Sequence, residues 1–131
     1  MRKEEPVPYK RKLEKDIRCP LEYGMDLIGG RWKSRIICVL AGGALRYSEL
    51  RGELVDITDT ALAAALKDLQ ANQLVKRRQY ERIPPRVEYE LTQKGLSIIP
   101  LLQALCKWSG IFYRDIEDKA LRKCQKCDFR G

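Results

Sequence analysis

The sequence predicts a mainly helical α+β fold in which one two-stranded hairpin separates a set of helices from a long terminal helix. Three observations carry that prediction. Leu62, Leu66 and Leu69 recur at i, i+4 and i+7 within an alanine-rich run, the spacing of a helix with one buried face. Val87, Tyr89 and Leu91 alternate with Glu88 and Glu90, the period of a half-buried strand. Between that segment and the run Leu74 to Tyr80 stands Pro84-Pro85, two residues with no N–H for a ladder, which belong at a hairpin tip. With 131 residues, 44% of them hydrophobic, the chain suffices for one domain with a packed core.

The elements follow in order. Residues 1–18 carry seven basic and four acidic side chains and two prolines, and read as a flexible basic arm. Pro20 suits the first turn of a helix, where its missing N–H would have no partner anyway. That helix runs from Pro20 to Ile28 with Leu21, Met25 and Ile28 on one face, and Gly29-Gly30 ends it. A second helix runs from Arg31 or Trp32 to Leu40, with Trp32, Ile36, Ile37, Val39 and Leu40 in the core and Gly42-Gly43 at its end. After an extended link from Ala44 to Tyr47, Ser48 is expected to cap a brief helix ending near Leu54. Thr58 caps a fourth helix reaching Ala71, to which Ala61, Ala63, Ala64 and Ala65 lend high helix propensity. Strands from Leu74 to Tyr80 and from Arg86 to Leu91 form the hairpin. Thr92 then caps a long helix whose apolar positions are Leu96, Ile99, Leu102, Leu105, Trp108 and Phe112, with a kink expected at Pro100. The domain is expected to span residues 19–118, followed by a basic tail, 119–131, that holds Cys124 and Cys127.

Composition excludes much chemistry. The chain has no histidine, which removes Ser-His-Asp and Cys-His nucleophilic sites, histidine-ligated metals and histidine pH switches. It offers no glycine-rich phosphate loop and no convergent acid, base and nucleophile, so no enzyme and no cofactor are expected. Lys and Arg total 26 against 18 Asp and Glu, a net charge of +8, which favours a polyanionic partner: nucleic acid first, an anionic membrane surface second. The first residues lack a signal-peptide core, and no uncharged apolar run reaches the ~18 residues of a membrane span. Five cysteines at irregular spacing then suit a cytoplasmic protein with reduced thiols.

Helix, helix, short helix, turn, helix, hairpin, long helix is the order of a winged helix-turn-helix domain with helices added at both ends. A helical pair that touches no ligand has the same periodicity. Charge bears on the choice: from Lys76 to Arg86 stand five basic residues, Lys76, Arg77, Arg78, Arg82 and Arg86, against Glu81 alone, where a wing would meet phosphate. A charged edge strand guarding against aggregation is the plainer explanation. Opposite its leucines the fourth helix shows Thr60, Ala64, Lys67 and Ala71, with Ala63 at the margin. Small side chains let a helix enter a major groove, alanine methyls can meet thymine methyls, and Thr60 and Lys67 can reach base or phosphate. The N–H groups at Thr58 form a phosphate seat, and Ser48 begins the preceding helix. The face holds no Arg, Asn or Gln for bidentate base reading, which leaves more to DNA shape and the wing; alternatively, the alanines pack on another helix.

Cys19-Pro20-Leu21-Glu22, Leu27-Ile28-Gly29-Gly30-Arg31-Trp32-Lys33, Arg46-Tyr47-Ser48-Glu49-Leu50, Pro84-Pro85-Arg86-Val87-Glu88-Tyr89 and Leu91-Thr92-Gln93-Lys94-Gly95 together resemble the HxlR-type (DUF24) bacterial transcription regulators, over residues 19–112 in uninterrupted order. The resemblance implies a homodimer that binds double-stranded operator DNA, with the first and last helices as the dimer interface, Thr58 to Lys67 on the recognition helix and Arg82 to Arg86 on the wing. The sequence departs from the family pattern at Asp59, Thr60 and Ala64, which leaves the operator sequence open. Several members sense oxidants or electrophiles at the cysteine corresponding to Cys19. At a helix N-cap, beside Arg18, its thiolate would be favoured; a plain capping role is the alternative. Cys106 is either its resolving partner across the dimer or a core residue, and Cys38 is read as packing. Cys124 and Cys127 supply half of a zinc site that a second tail would complete, or a local redox pair, or part of an unstructured tail. A winged-helix adaptor that binds protein or zinc is the rival function.

Overall fold

The computed structural model describes residues 17–113. Its first helix, α1 (Pro20–Ile28), begins at Cys19 as N-cap with proline in the first turn. Glu22 in that turn accepts from the Arg18 backbone N–H at 2.7 Å and from its guanidinium at 3.0 Å. The chain leaves α1 through Gly29, where a Cβ would lie 2.7 Å from the Met25 carbonyl oxygen, and Gly30, at φ +90°. Both positions therefore need glycine.

Helix α2 (Lys33–Leu40) starts one to two residues later than expected, with Trp32 as its N-cap. The guanidinium groups of Arg31 and Arg35 lie 4.9 and 5.1 Å from the Trp32 ring centre, so the indole remains half-exposed beneath two cations. Ile36, Ile37 and Leu40 are buried at the centre of the core. The following link is more than a spacer: Leu45 pairs with Tyr89 through two backbone hydrogen bonds of 3.0 and 2.8 Å.

Helix α3 (Tyr47–Glu53) is capped at Arg46, so Ser48 lies inside it and is not its cap. The reason is local: the Glu49 carboxylate accepts the Arg46 backbone N–H at 2.8 Å, which fixes the cap two residues ahead of the serine. Helix α4 (Asp59–Ala71) is capped by Thr58, whose Oγ1 accepts the Ala61 N–H at 3.1 Å. Leu62, Leu66 and Leu69 are buried, as their spacing requires. The turn out of α4 places Gln73 at φ 61°.

Strands β1 (Val75–Tyr80) and β2 (Arg86–Leu91) pair antiparallel, with Val75 opposite Leu91 and Tyr80 opposite Arg86. The expected in-and-out alternation of β2 is blurred, because Glu88 and Glu90 are half-covered by partners on the hairpin. Thr92 caps α5 (Gln93–Ser97): its Oγ1 accepts the Gly95 N–H at 3.0 Å, while its hydroxyl donates to the Gln73 carbonyl at 2.6 Å. Gly95 is buried against Leu74, whose carbonyl oxygen would lie 2.2 Å from an added Cβ.

The expected kink at Pro100 is instead a full break. Helix α5 closes at Ile98, and α6 (Ile99–Phe112) begins with Pro100 in its first turn. Proline has no N–H to continue the ladder and its ring would strike a carbonyl one turn back, so the helix restarts there. The expected core stripe of the long helix is also only partly realised. Leu102 is buried, whereas Leu105, Trp108 and Phe112 are 49%, 61% and 72% exposed. Leu21 and Met25 of α1 are exposed as well. Among the described residues the core ends at Leu102, and α1 and α6 carry apolar side chains that are about half exposed or more.

Lys33 ties three helices together. Its Nζ donates to the Asp26 carbonyl in the last turn of α1 at 3.0 Å and forms an ion pair with Asp68 of α4, both side chains being mostly buried. Replacing Lys33 by Met strands the Asp68 carboxylate without its cation. The expected loss is about 3 kcal/mol in chemical denaturation, largely recovered in the Lys33→Met, Asp68→Leu double variant.

Candidate nucleic-acid interface

Helices α3 and α4 meet at the turn formed by Val55, Asp56 and Ile57, with Leu50, Leu54, Ile57 and Leu62 holding the pair onto the core. Because the leucines take the inner face of α4, Thr58, Asp59, Thr60, Ala63, Ala64 and Lys67 are all exposed on this helix and its cap, and Ser48 is exposed on α3. The outer face of α4 is thus short-chained and bears one cation, Lys67. The pair is locked at its N-terminal end. The Tyr47 hydroxyl lies 3.3 Å from both the carbonyl and Oδ1 of Asp59, and Arg51 Nη1 lies 3.2 Å from the same Oδ1. Burial, and secondarily the Asp59 charge, pushes the Tyr47 phenol above its ordinary value, so it stays protonated and donates. The sequence marks Asp59 only as a departure from the family pattern and Tyr47 only within a motif, and it does not single out Arg51. The signal was the i, i+4 spacing of Tyr47 and Arg51, which places them on one face of α3.

The hairpin is less cationic than its first strand and tip imply. Lys76 and Arg78 both pair with Glu90, Lys76 at 3.3 Å, and Arg86 pairs with Glu88 at 2.8 Å. Tyr80 adds a hydrogen bond to Glu88 at 3.1 Å. A charge count that stops at Arg86 omits these two carboxylates, which the antiparallel register brings back beside the bases. The hydrogen bond from Arg78 holds Glu90 below the usual carboxylate range, and that from Arg86 does the same for Glu88. Arg77 lies on the other face of β1 with only a 3.4 Å contact to Gln79. Arg82, at the tip, makes no ion pair or hydrogen bond among the described residues. Arg77 and Arg82 are therefore the exposed cations that the hairpin leaves outside its ion pairs.

Cys19 is exposed at the start of α1, while Cys38 and Cys106 are half-buried, and none of the three is in a disulfide. Arg18, expected to favour the Cys19 thiolate, pairs with Glu22 instead. Cys38 and Cys106 line a groove of about 500 Å³ between α1, α2 and α6, together with Met25, Ile28, Leu102 and Leu105. Cys124 and Cys127, like most of the basic arm and the tail, lie outside the described residues. Among the described residues no group of three or more Cys, Asp or Glu side chains is placed to hold a metal.

A helical pair with an exposed second helix, followed by a hairpin with exposed arginines, defines the winged helix-turn-helix class of transcription regulators. Residues 27–117 match the model of the HxlR-like helix-turn-helix family, and the chain belongs to that family. It is 44% identical over 94 residues to an uncharacterised HTH-type transcriptional regulator of Methanothermobacter thermautotrophicus, covering 72% of each chain. It is similar to the redox regulator HypR in its oxidised form, with a TM-score of 0.69 and 36% identity over 75% of this chain and all of the other. It is also similar to the quinone-bound YodB of Bacillus subtilis, with a TM-score of 0.63 and 34% identity over 72% of this chain and all of that one. These relatives are regulators, and the chain is not an enzyme.

Proposed function

We propose that the chain is a cytoplasmic, homodimeric transcription regulator that binds double-stranded DNA and responds to oxidants or electrophiles through Cys19. The observation that carries the DNA-binding reading is the joint exposure of Thr60, Ala63, Ala64 and Lys67 on α4, beside a hairpin that leaves Arg77 and Arg82 exposed and outside its ion pairs. In this reading α4 enters the major groove, Ser48 and Thr58 meet phosphates at its N-terminal end, and the hairpin lies along the backbone. Arg86 braces the hairpin through Glu88 and reaches phosphate only by exchanging that pair. Two half-sites spaced one helical turn (~10 bp) apart would match a two-fold dimer.

The dimer reading is supported by the uncovered apolar side chains of α1 and α6, which include Leu21, Met25, Leu101, Leu105, Trp108, Ile111 and Phe112. A patch of this kind on two neighbouring helices, opening onto the groove beside Leu102, suits burial against a second copy. Cys19 lies at the start of one of these helices and Cys106 on the other. A bond formed at Cys19, to an electrophile or to Cys106 of the partner subunit, would thus act on the joint that sets the spacing of the two α4 helices. The redox and quinone chemistry of the similar regulators supports the same reading.

Three measurements test it. Duplex binding titrated against salt is expected to show a steep slope, reduced by about 1 in each of Arg77→Ala and Arg82→Ala; no slope and no preference for promoter over random duplex would sink the DNA-binding reading. In sedimentation velocity the wild type is expected to run as a dimer and Trp108→Glu as a monomer. Quinone or diamide treatment is expected to release the wild type from DNA and to leave Cys19→Ser bound; equal release of both would exclude Cys19 as the trigger.

A further inference from the structure

The outer face of α4 offers little to read a base with: two methyls, a threonine and a lysine. The first residue of the helix differs from these. In a helix-turn-helix the N-terminal turn of the second helix is the part that reaches base edges, and here that turn begins with Asp59, whose side chain is 69% exposed. Its carboxylate is held from one side only. The Arg51 guanidinium, at 3.2 Å, and the Tyr47 hydroxyl, at 3.3 Å, both engage Oδ1. Oδ2 accepts no hydrogen bond among the described residues. Two donors on α3 therefore orient the group and leave one oxygen to accept.

An acidic side chain brought against a duplex is repelled by phosphate, and the repulsion is offset only where the groove presents a donor. In the major groove the donors are the amino groups of cytosine N4 and adenine N6. Adenine N6 stands beside N7, an acceptor that repels a carboxylate, whereas guanine and thymine contribute acceptors at O6, N7 and O4. Cytosine fits best. Resting on the DNA-binding reading above, we infer that Asp59 sets operator specificity by accepting a hydrogen bond from the N4 amino group of one cytosine in each half-site, with Tyr47 and Arg51 as its positioning residues.

Selection from a randomised duplex library by the complete 131-residue chain tests this. The wild type is expected to select cytosine at one fixed position of each half-site, and replacing that C·G pair by T·A to weaken binding about tenfold. In Asp59→Ala that preference shrinks to within about twofold, while affinity for random duplex rises because a charge repelling phosphate is gone. In Asp59→Asn, which keeps the size of the side chain, the chosen base shifts from cytosine to adenine, since an amide offers a donor to N7 and an acceptor to N6. Melting curves check both variants, and if the alanine variant is unfolded the asparagine variant decides alone. Unchanged base choice in Asp59→Asn, or a wild type with no cytosine at a fixed position, overturns the inference while DNA binding stands. A wild type without salt-dependent duplex binding overturns both.

Discussion

The leucines of α4 seat it on the core, and the Lys33 ammonium fixes the direction in which it points against α1 and α2. Lys33 reaches back to a carbonyl in the last turn of α1 and forward to the carboxylate of Asp68, so the ends of two helices converge on a third. Taking these charges out of water is costly, and only this geometry compensates for it, so the pair constrains orientation more than it adds stability. Lys94 does the same work on a neighbouring face: its ammonium donates to the Asn72 carbonyl just past α4 at 3.0 Å and to the Tyr23 hydroxyl of α1 at 3.1 Å. The exposed face of α4 is thereby referred to α1, the helix on which the proposed sensing thiol lies.

The fold was legible where one physical rule acts alone. Pro20, Thr58 and Thr92 mark helix starts because a cap or a missing N–H is a local matter, and the leucines of α4 find the core by period. Sequence and structure part where two rules compete. Ser48 is a good capping residue, but Glu49 serves the Arg46 N–H and moves the start upstream. Leu105, Trp108 and Phe112 have the right period for burial, yet a period gives only the face of a helix, not whether the same chain covers it. The candidate site was legible by residue type and not by pairing. Exposure of the α4 residues followed from the leucine stripe, but the neutralisation of Lys76, Arg78 and Arg86 needed the register that sets Glu88 and Glu90 against them.

That neutralisation alters how the net charge of +8 is to be understood. A wing whose Lys76, Arg78 and Arg86 are engaged by its own carboxylates contributes to recognition through few points, Arg77 and Arg82 among them. The ion pairs also stiffen the hairpin, since each joins β1 to β2 or bridges neighbours along β2. A stiff wing with few contacts responds to backbone geometry more than to total phosphate charge.

The two hydrogen bonds between Leu45 and Tyr89 bear on how such a molecule can move. They splice the segment entering α3 onto the inner strand of the hairpin, so the pleat of β2 acts as an axle shared by both. A torque that tilts α3, and with it the Tyr47 and Arg51 side chains that grasp Asp59, is passed through these two bonds to the hairpin that bears Arg82. Helix and wing would thus release a duplex together, as one jaw.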